Sequence, residues 1–141
     1  MFRRVLVAWD GSADSIAALR MAAEVAGPGQ GHVVAFSVLA GSAHREDQAD
    51  AAGDRAARRV SETFEAAKAS ITATSPVRID LHTAQGRHVA GSVCQYATEH
   101  GFDLLVIGRH GDGGIAHPRL GHVAEAAARS CKVPLLLVSA G

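Results

Sequence analysis

The residues best suited to chemistry stand late in the chain, in Gly108-Arg109-His110-Gly111-Asp112-Gly113-Gly114-Ile115-Ala116-His117-Pro118-Arg119-Leu120-Gly121-His122-Val123. Glycine permits positive φ and, lacking a Cβ, lets a phosphate come close to the backbone. A helix that starts after such a loop offers unpaired N–H donors and the positive end of its dipole to an anion. In this pattern Gly108 and Gly111 can wrap one side of a phosphate chain, while Gly121 and His122 open a helix on the other. Arg109 and Arg119 supply positive charge nearby. The bland alternative is a surface loop that happens to be rich in glycine.

His110, His117 and His122, with Asp112 beside them, invite a metal-site reading. Their spacing is not that of a helical or zinc-knuckle ligand set, and no cysteine joins them, so histidines facing phosphate or solvent are the better expectation. A divalent cation would arrive bridged by the phosphates of a ligand. Cys94 and Cys131 are the only cysteines and form no close-spaced pair, which favours two small buried hydrophobes over a disulfide or a zinc site.

The elements that must position these groups alternate from end to end. Val5 to Trp9 is an apolar run suited to a strand buried on both faces of a parallel sheet. Gly11-Ser12 turns the chain, and Ser12 is a good N-cap for a helix whose Ile16, Leu19, Ala23 and Ala26 follow a helical period. Gly27-Pro28-Gly29 stops that helix, and Val33 to Leu39 is a second strand. Gly41 to Gln48 reads as a loop. From about Ala49 to about Thr72 a long helix sets Ala52, Ala56, Val60, Phe64, Ala67 and Ile71 on one face. Arg55, Arg58, Arg59, Glu62, Glu65 and Lys68 mostly take the other, the pattern of a solvated face. Val77 to Thr83 alternates apolar with polar, as a strand with one wet face at the sheet edge does. A helix from Val89 to Glu99, a strand from Asp103 to Ile107, a helix from Gly121 to Ser130 and a strand from Pro134 to Val138 complete the series.

Five strands separated by four helices imply a three-layer, doubly wound α/β sheet, with the first and fourth strands side by side at its centre. Ligands bind such sheets beyond the C-terminal strand ends, where the winding reverses. Asp10 and Gly108 stand at those two ends. The chain has 141 residues, 48% hydrophobic and 20% charged, the balance of one globular domain spanning 1–141. Its 14 basic and 14 acidic residues cancel, which argues against a nucleic-acid partner. No apolar stretch is long enough for a signal-peptide core or a membrane span, so the expected compartment is the cytoplasm.

The spacing of Gly108, Gly111 and Gly121 resembles the ATP loop of the universal stress protein family. Asp103-Leu104-Leu105-Val106-Ile107-Gly108 is similar to that family's fourth strand, Leu120-Gly121-His122-Val123 to its helix entry, and Val133-Pro134-Leu135-Leu136-Leu137-Val138 to its closing strand. Val5-Leu6-Val7-Ala8-Trp9-Asp10-Gly11-Ser12, followed by Ser15 and Ala18-Leu19, is similar to its opening, so the resemblance covers essentially the whole chain. It implies the adenine nucleotide alpha hydrolase-like fold, strand order 3-2-1-4-5, and a site for ATP or AMP, with Mg2+ bridged by the phosphates. By position, Asp10 would meet the ribose or adenine edge, Ala8 would lie beneath the nucleoside and Val38 would flank the base. Gly108, Gly111, Gly121, His122 and Val123 would face the phosphates. The chemistry agrees, because a carboxylate suits ribose hydroxyls and a cationic glycine loop suits phosphate.

The family's nucleotide-binding members usually carry serine or threonine after the final motif glycine, where this chain has His122. The imidazole either donates to phosphate or obstructs it. The resemblance also implies a homodimer through the last strand, Leu135-Leu136-Leu137-Val138, an apolar edge that needs cover. The function implied is a nucleotide-binding module of the stress response. The alternatives are a nucleotide-free dimeric interaction module and a slow ATP hydrolase. Asp10-Gly11-Ser12-Ala13-Asp14-Ser15 is also similar to the first-strand loop of ATP pyrophosphatase-type enzymes. That loop places serine and consecutive glycines against pyrophosphate, whereas this one begins with a carboxylate.

Overall fold

The computed structural model describes residues 2–27, 29–39, 46–110 and 121–140, with the backbone alone over 46–53. The elements alternate as β1 (Arg4–Ala8), α1 (Ala13–Ala26), β2 (His32–Leu39), α2 (Glu46–Thr72), β3 (Arg78–Gln85), α3 (Val89–Glu99), β4 (Leu104–Gly108), α4 (His122–Ser130) and β5 (Leu135–Val138). The strands form one sheet in the order β3-β2-β1-β4-β5, and every neighbouring pair is parallel. β1 and β4 lie side by side near the middle, and the alternating strand β3 is at an edge, as the sequence patterns imply.

Successive strand residues face opposite sides, so the sheet divides the core into two layers. Val5 and Val7 of β1, Val33 and Ala35 of β2 and Val106 of β4 pack with Leu19, Ala22 and Ala23 of α1 and with Phe64, Ala67 and Ile71 of α2. Leu6, Val34, Phe36, Leu105 and Ile107 face the other way, onto Val93, Cys94 and Ala97 of α3 and Ala124 and Ala127 of α4. Each fully buried valine or leucine stabilises the fold by about 1.5–3 kcal/mol. That both faces of β1 and β4 are covered explains why these strands read as unbroken apolar runs.

The helices differ from expectation in particular places. On α1 the buried set is Ser15, Ala18, Leu19, Ala22, Ala23 and Ala26, and Ile16 is only partly buried at the margin. The helix lies close to the sheet through small residues, so the larger Ile16 is turned aside. α2 begins at Glu46 rather than near Ala49, and of its proposed apolar face Phe64, Ala67 and Ile71 are buried, Val60 is half-buried and Ala56 is exposed. At a rise of about 1.5 Å per residue the helix is roughly 40 Å long, whereas an eight-residue strand spans only about 26 Å. Ahead of Val60, Asp54, Arg55, Ala56, Arg58 and Arg59 are exposed.

The expectation of two separate cysteines is overturned. Cys94 and Cys131 form a disulfide with Cα atoms 5.2 Å apart. Their separation of 37 positions hides the pairing in the sequence, but α3 and α4 pack on the same face of the sheet, so the two residues meet. Among the described residues no helix is long and apolar enough to cross a membrane.

Candidate functional site

Because all strands run in parallel, Ala8, Val38, Gly108 and Val138 reach one common edge of the sheet. Past Ala8 the chain stays extended for one residue, with the Trp9 N–H donating to the Phe36 carbonyl at 2.9 Å. Gly11 then reverses it at φ +82, a conformation that suits glycine. The Ser12 N–H donates to Asp10 Oδ1 at 2.9 Å, which fixes the carboxylate of Asp10 against the turn. Ser12 caps α1 through a hydrogen bond from the Ser15 N–H to its hydroxyl at 3.2 Å. Asp10 is exposed at this corner.

Trp9, the residue before Asp10, turns away from this corner. It is 3% exposed, its indole N–H donates to the Val60 carbonyl at 3.2 Å, and its ring meets Phe64 edge-on at 6.0 Å. Alternation sends it into the α1/α2 layer, while Ala8 faces the α3/α4 layer with Val38. Trp9 thereby locks α2 to the end of β1.

At the end of β4, Gly108 has a packing reason to be glycine. A Cβ there would lie 2.6 Å from Asp14 Cβ and 2.8 Å from the Asp14 carbonyl carbon, because the first turn of α1 crosses this strand end. Arg109 follows as a backbone bracket. Its N–H donates to the Val138 carbonyl at 2.8 Å, and its own carbonyl accepts from the Gly121 N–H at 2.6 Å. The second bond seats the start of α4 beside the end of β4.

The bracket is tightened by Asp14, which sequence reasoning missed. Its side chain, 12% exposed, accepts at Oδ2 from the His110 N–H at 2.9 Å and from His110 Nδ1 at 3.1 Å, and at Oδ1 from the Ala140 N–H at 2.9 Å. Burial pushes this carboxyl up, but the backbone donors of Ala140 and His110 and the His110 ring outweigh it, so the pKa lies below the ordinary aspartate value. Expected to face phosphate or solvent, His110 instead turns back onto α1, with only 20% of its side chain exposed. No local pattern marks this contact, since the partners are separated by 96 and 126 positions.

α4 opens at Gly121, whose φ of −65 and ψ of 163 place it as N-cap without any side-chain cap. His122 is exposed on the first turn and Val123 is half-buried. The structure therefore brings Ala8, Asp10, Val38, Gly108, Arg109, Gly121, His122 and Val123 to one edge. Gly111 and Arg119, with Asp112 and His117, lie outside the described residues. Among the described residues no cluster of three or more His, Cys, Asp or Glu is arranged to hold a metal ion.

The opposite edge carries carboxylates committed to the fold. Asp103 accepts from the N–H groups of Arg3 and Arg4 at 3.0 and 2.9 Å. Asp80 binds His32 Nε2 at 2.7 Å and Arg78 Nε at 3.0 Å.

The family model for the universal stress protein family matches residues 1–139. No curated protein sequence matches the chain. Among solved structures, a universal stress protein in complex with cAMP is 23% identical with a TM-score of 0.77, covering 99% of each chain. One from Archaeoglobus fulgidus in complex with dAMP is 21% identical with a TM-score of 0.69, covering 98% of each chain. A family protein from Arabidopsis thaliana with AMP bound is 18% identical with a TM-score of 0.68, over 97% of this chain and 91% of that one. At such identities these likenesses establish the fold, the five-stranded parallel sheet flanked by helices in the order 3-2-1-4-5. The match of the family model over almost the entire length goes further: this chain belongs to the universal stress protein family.

Proposed function

We propose that the chain binds an adenine nucleotide, ATP or AMP, across the ends of β1 and β4, and serves as a regulatory module of the stress response. The observation that carries this reading is the shared edge. An exposed carboxylate, Asp10, stands at the end of β1, and the start of α4, which lacks a side-chain cap, is bonded beside the end of β4. The first suits ribose hydroxyls and the second suits phosphate, since the first-turn amides of a helix favour an anion. Relatives of the same fold have been crystallised with cAMP, dAMP and AMP, which supports the ligand class. Val38 and Ala8, half-buried at the same edge, would border the nucleoside. Gly108, Gly111, Gly121, His122 and Val123 would surround the phosphates, with Arg109, Arg119 and a phosphate-bridged Mg2+ adding positive charge.

The protein would work in the cytoplasm as a homodimer. β5 ends the sheet, and Leu135, Leu136, Leu137 and Val138 are all left half-exposed there, an apolar edge that a second copy would cover. Sedimentation should give a dimer at micromolar concentration, and a monomer would remove this part of the reading.

To test the site, the protein is purified natively and denatured, any released nucleotide is identified, and the stripped protein is titrated calorimetrically with ATP and AMP. Saturable binding that Asp10→Ala weakens supports the proposal. No heat and no saturation at millimolar nucleotide would overturn it. Comparing His122→Ser with the native protein tells whether the imidazole aids or obstructs. Tighter binding by the serine variant means obstruction; weaker binding means a phosphate partner.

A further inference from the structure

α4 is the element that would face the phosphates, and among the described residues it is held by packing of small side chains, one backbone bond at its start and a covalent bond at its end. It is nine residues long, and only Ala124 and Ala127 are buried, so it has no large side chain sunk in the core. Its packing is mainly on α3 and lighter on β5. The N-terminal end is attached through the backbone bond from Gly121 to Arg109. The C-terminal end is attached by Cys131, the C-cap residue, whose sulfur is bonded to Cys94 in the buried face of α3. A nine-residue helix spans roughly 13 Å, so a constraint at one end is passed to the other by a single rigid rod.

The bond is also within reach of a reductant. Cys131 is half-exposed, and an open depression of about 370 Å³ over the α3/α4 seam is lined by Cys94 together with Gln95, Glu99, Ser130 and Lys132. In a reducing compartment such a bond does not persist as a passive staple; those that form are redox-sensing or catalytic.

We propose that the Cys94–Cys131 disulfide is a redox switch on the phosphate end of the proposed nucleotide site, fixing α4 for binding when oxidised and loosening it when reduced. This rests on the nucleotide reading above. The chemistry is thiol–disulfide exchange with a dithiol reductant. One thiolate of the dithiol attacks the Cys131 sulfur, and the S–S electron pair leaves with Cys94, which takes up a proton. The second thiolate of the dithiol then resolves the mixed disulfide and releases the Cys131 thiol. The protein gains two electrons and two protons, and the dithiol becomes a disulfide. Oxidation by a disulfide of the same class runs the sequence backwards.

Two readouts on the full chain test this. The first is amide hydrogen exchange with and without a dithiol, and the second is AMP and ATP affinity in the same two states. Reduction should speed exchange over His122–Ser130, leave β1 and α1 unchanged, and weaken nucleotide by about fivefold, the low end of ordinary coupling between sites. Cys131→Ser should match the reduced protein and ignore the reductant. Cys94→Ala should do the same, which guards against a fault peculiar to one variant. Cysteines that alkylate freely in the air-oxidised protein would overturn the proposal, as would equal exchange in both states. Faster exchange with equal affinity overturns the switch while leaving the nucleotide site standing. Faster exchange with no nucleotide bound in either state overturns the nucleotide site and leaves a redox-controlled helix.

Discussion

α1 and α4 both begin at the C-terminal edge of the sheet, and they are held there by unlike means. α1 has 14 residues, a Ser12 cap and six buried side chains, and Asp14 ties its first turn to both His110 and Ala140. α4 has nine residues, an N-cap glycine without a side chain to offer, and two buried alanines. It relies on a backbone bond at one end and a disulfide at the other. The difference teaches where rigidity is needed. The side of the site that holds Asp10 is fixed by packing, whereas the helix on the side that would meet the phosphates starts at a glycine with no side-chain cap.

The contrast breaks most readily where α1 touches β4. Gly108→Val would drive a side chain into the backbone of Asp14, 2.8 Å from its carbonyl carbon. Overpacking against backbone that cannot move aside costs about 3 kcal/mol, and a urea midpoint should fall accordingly. Near-native stability in this variant would mean that α1 is not held as tightly as the contacts imply.

Next in size is Asp14→Ala, which leaves the donors of His110 and Ala140 without their acceptor and should cost about 2–3 kcal/mol. The pH dependence fixes the cause. The folded pKa of Asp14 is depressed below the ordinary 3.8, so its contribution is fully present above the unfolded value and is lost as pH falls through the folded one. Asp14→Asn should therefore be destabilised at neutral pH, with the gap to the native protein closing in acid. A gap that stays constant down to about pH 2 would assign the loss to shape rather than charge.

The elements of this fold were legible because they are periodic. The apolar runs of β1 and β4, the alternation of β3 and the bounds of α3 at Val89 and Glu99 followed from local pattern alone. Ser12 as a cap and the reversal at Gly11 followed from turn chemistry. What escaped was the joinery between elements. Asp14 reads as one more helix residue, yet its partners are a residue after β4 and one after β5. Cys94 lies on the buried face of α3 and Cys131 ends α4. Two adjacent helices on one face of the sheet were the available signal, and spacing along the chain concealed it. Gly108 was read as a glycine for a ligand, while its nearest constraint is the passing helix. The glycine-loop residues Gly111 and Arg119 rest on the sequence pattern alone.

Two smaller changes sharpen the comparison from opposite sides. Ser12→Ala removes the cap of α1 and should lower stability by about 1 kcal/mol, seen as a shift in the thermal midpoint. Gly121→Ser offers α4 a cap it lacks, at a φ that any residue adopts. It should raise stability by only a few tenths of a kcal/mol, because glycine is itself a tolerable cap. The same hydroxyl would compete for the first-turn amides, so AMP affinity should fall although the protein is more stable. Unchanged affinity would argue that those amides do not meet the phosphates.

The most direct test of the central claim is a backbone NMR titration of the protein with AMP, read residue by residue. Saturable shifts should gather at Ala8, Asp10, Val38, Gly108 and Gly121 through Val123, on both helices' side of the edge. The amides of Asp80 and Asp103, at the far end of the sheet, should stay still. Shifts that do not saturate at millimolar AMP, or that fall on the far end instead, would contradict the account.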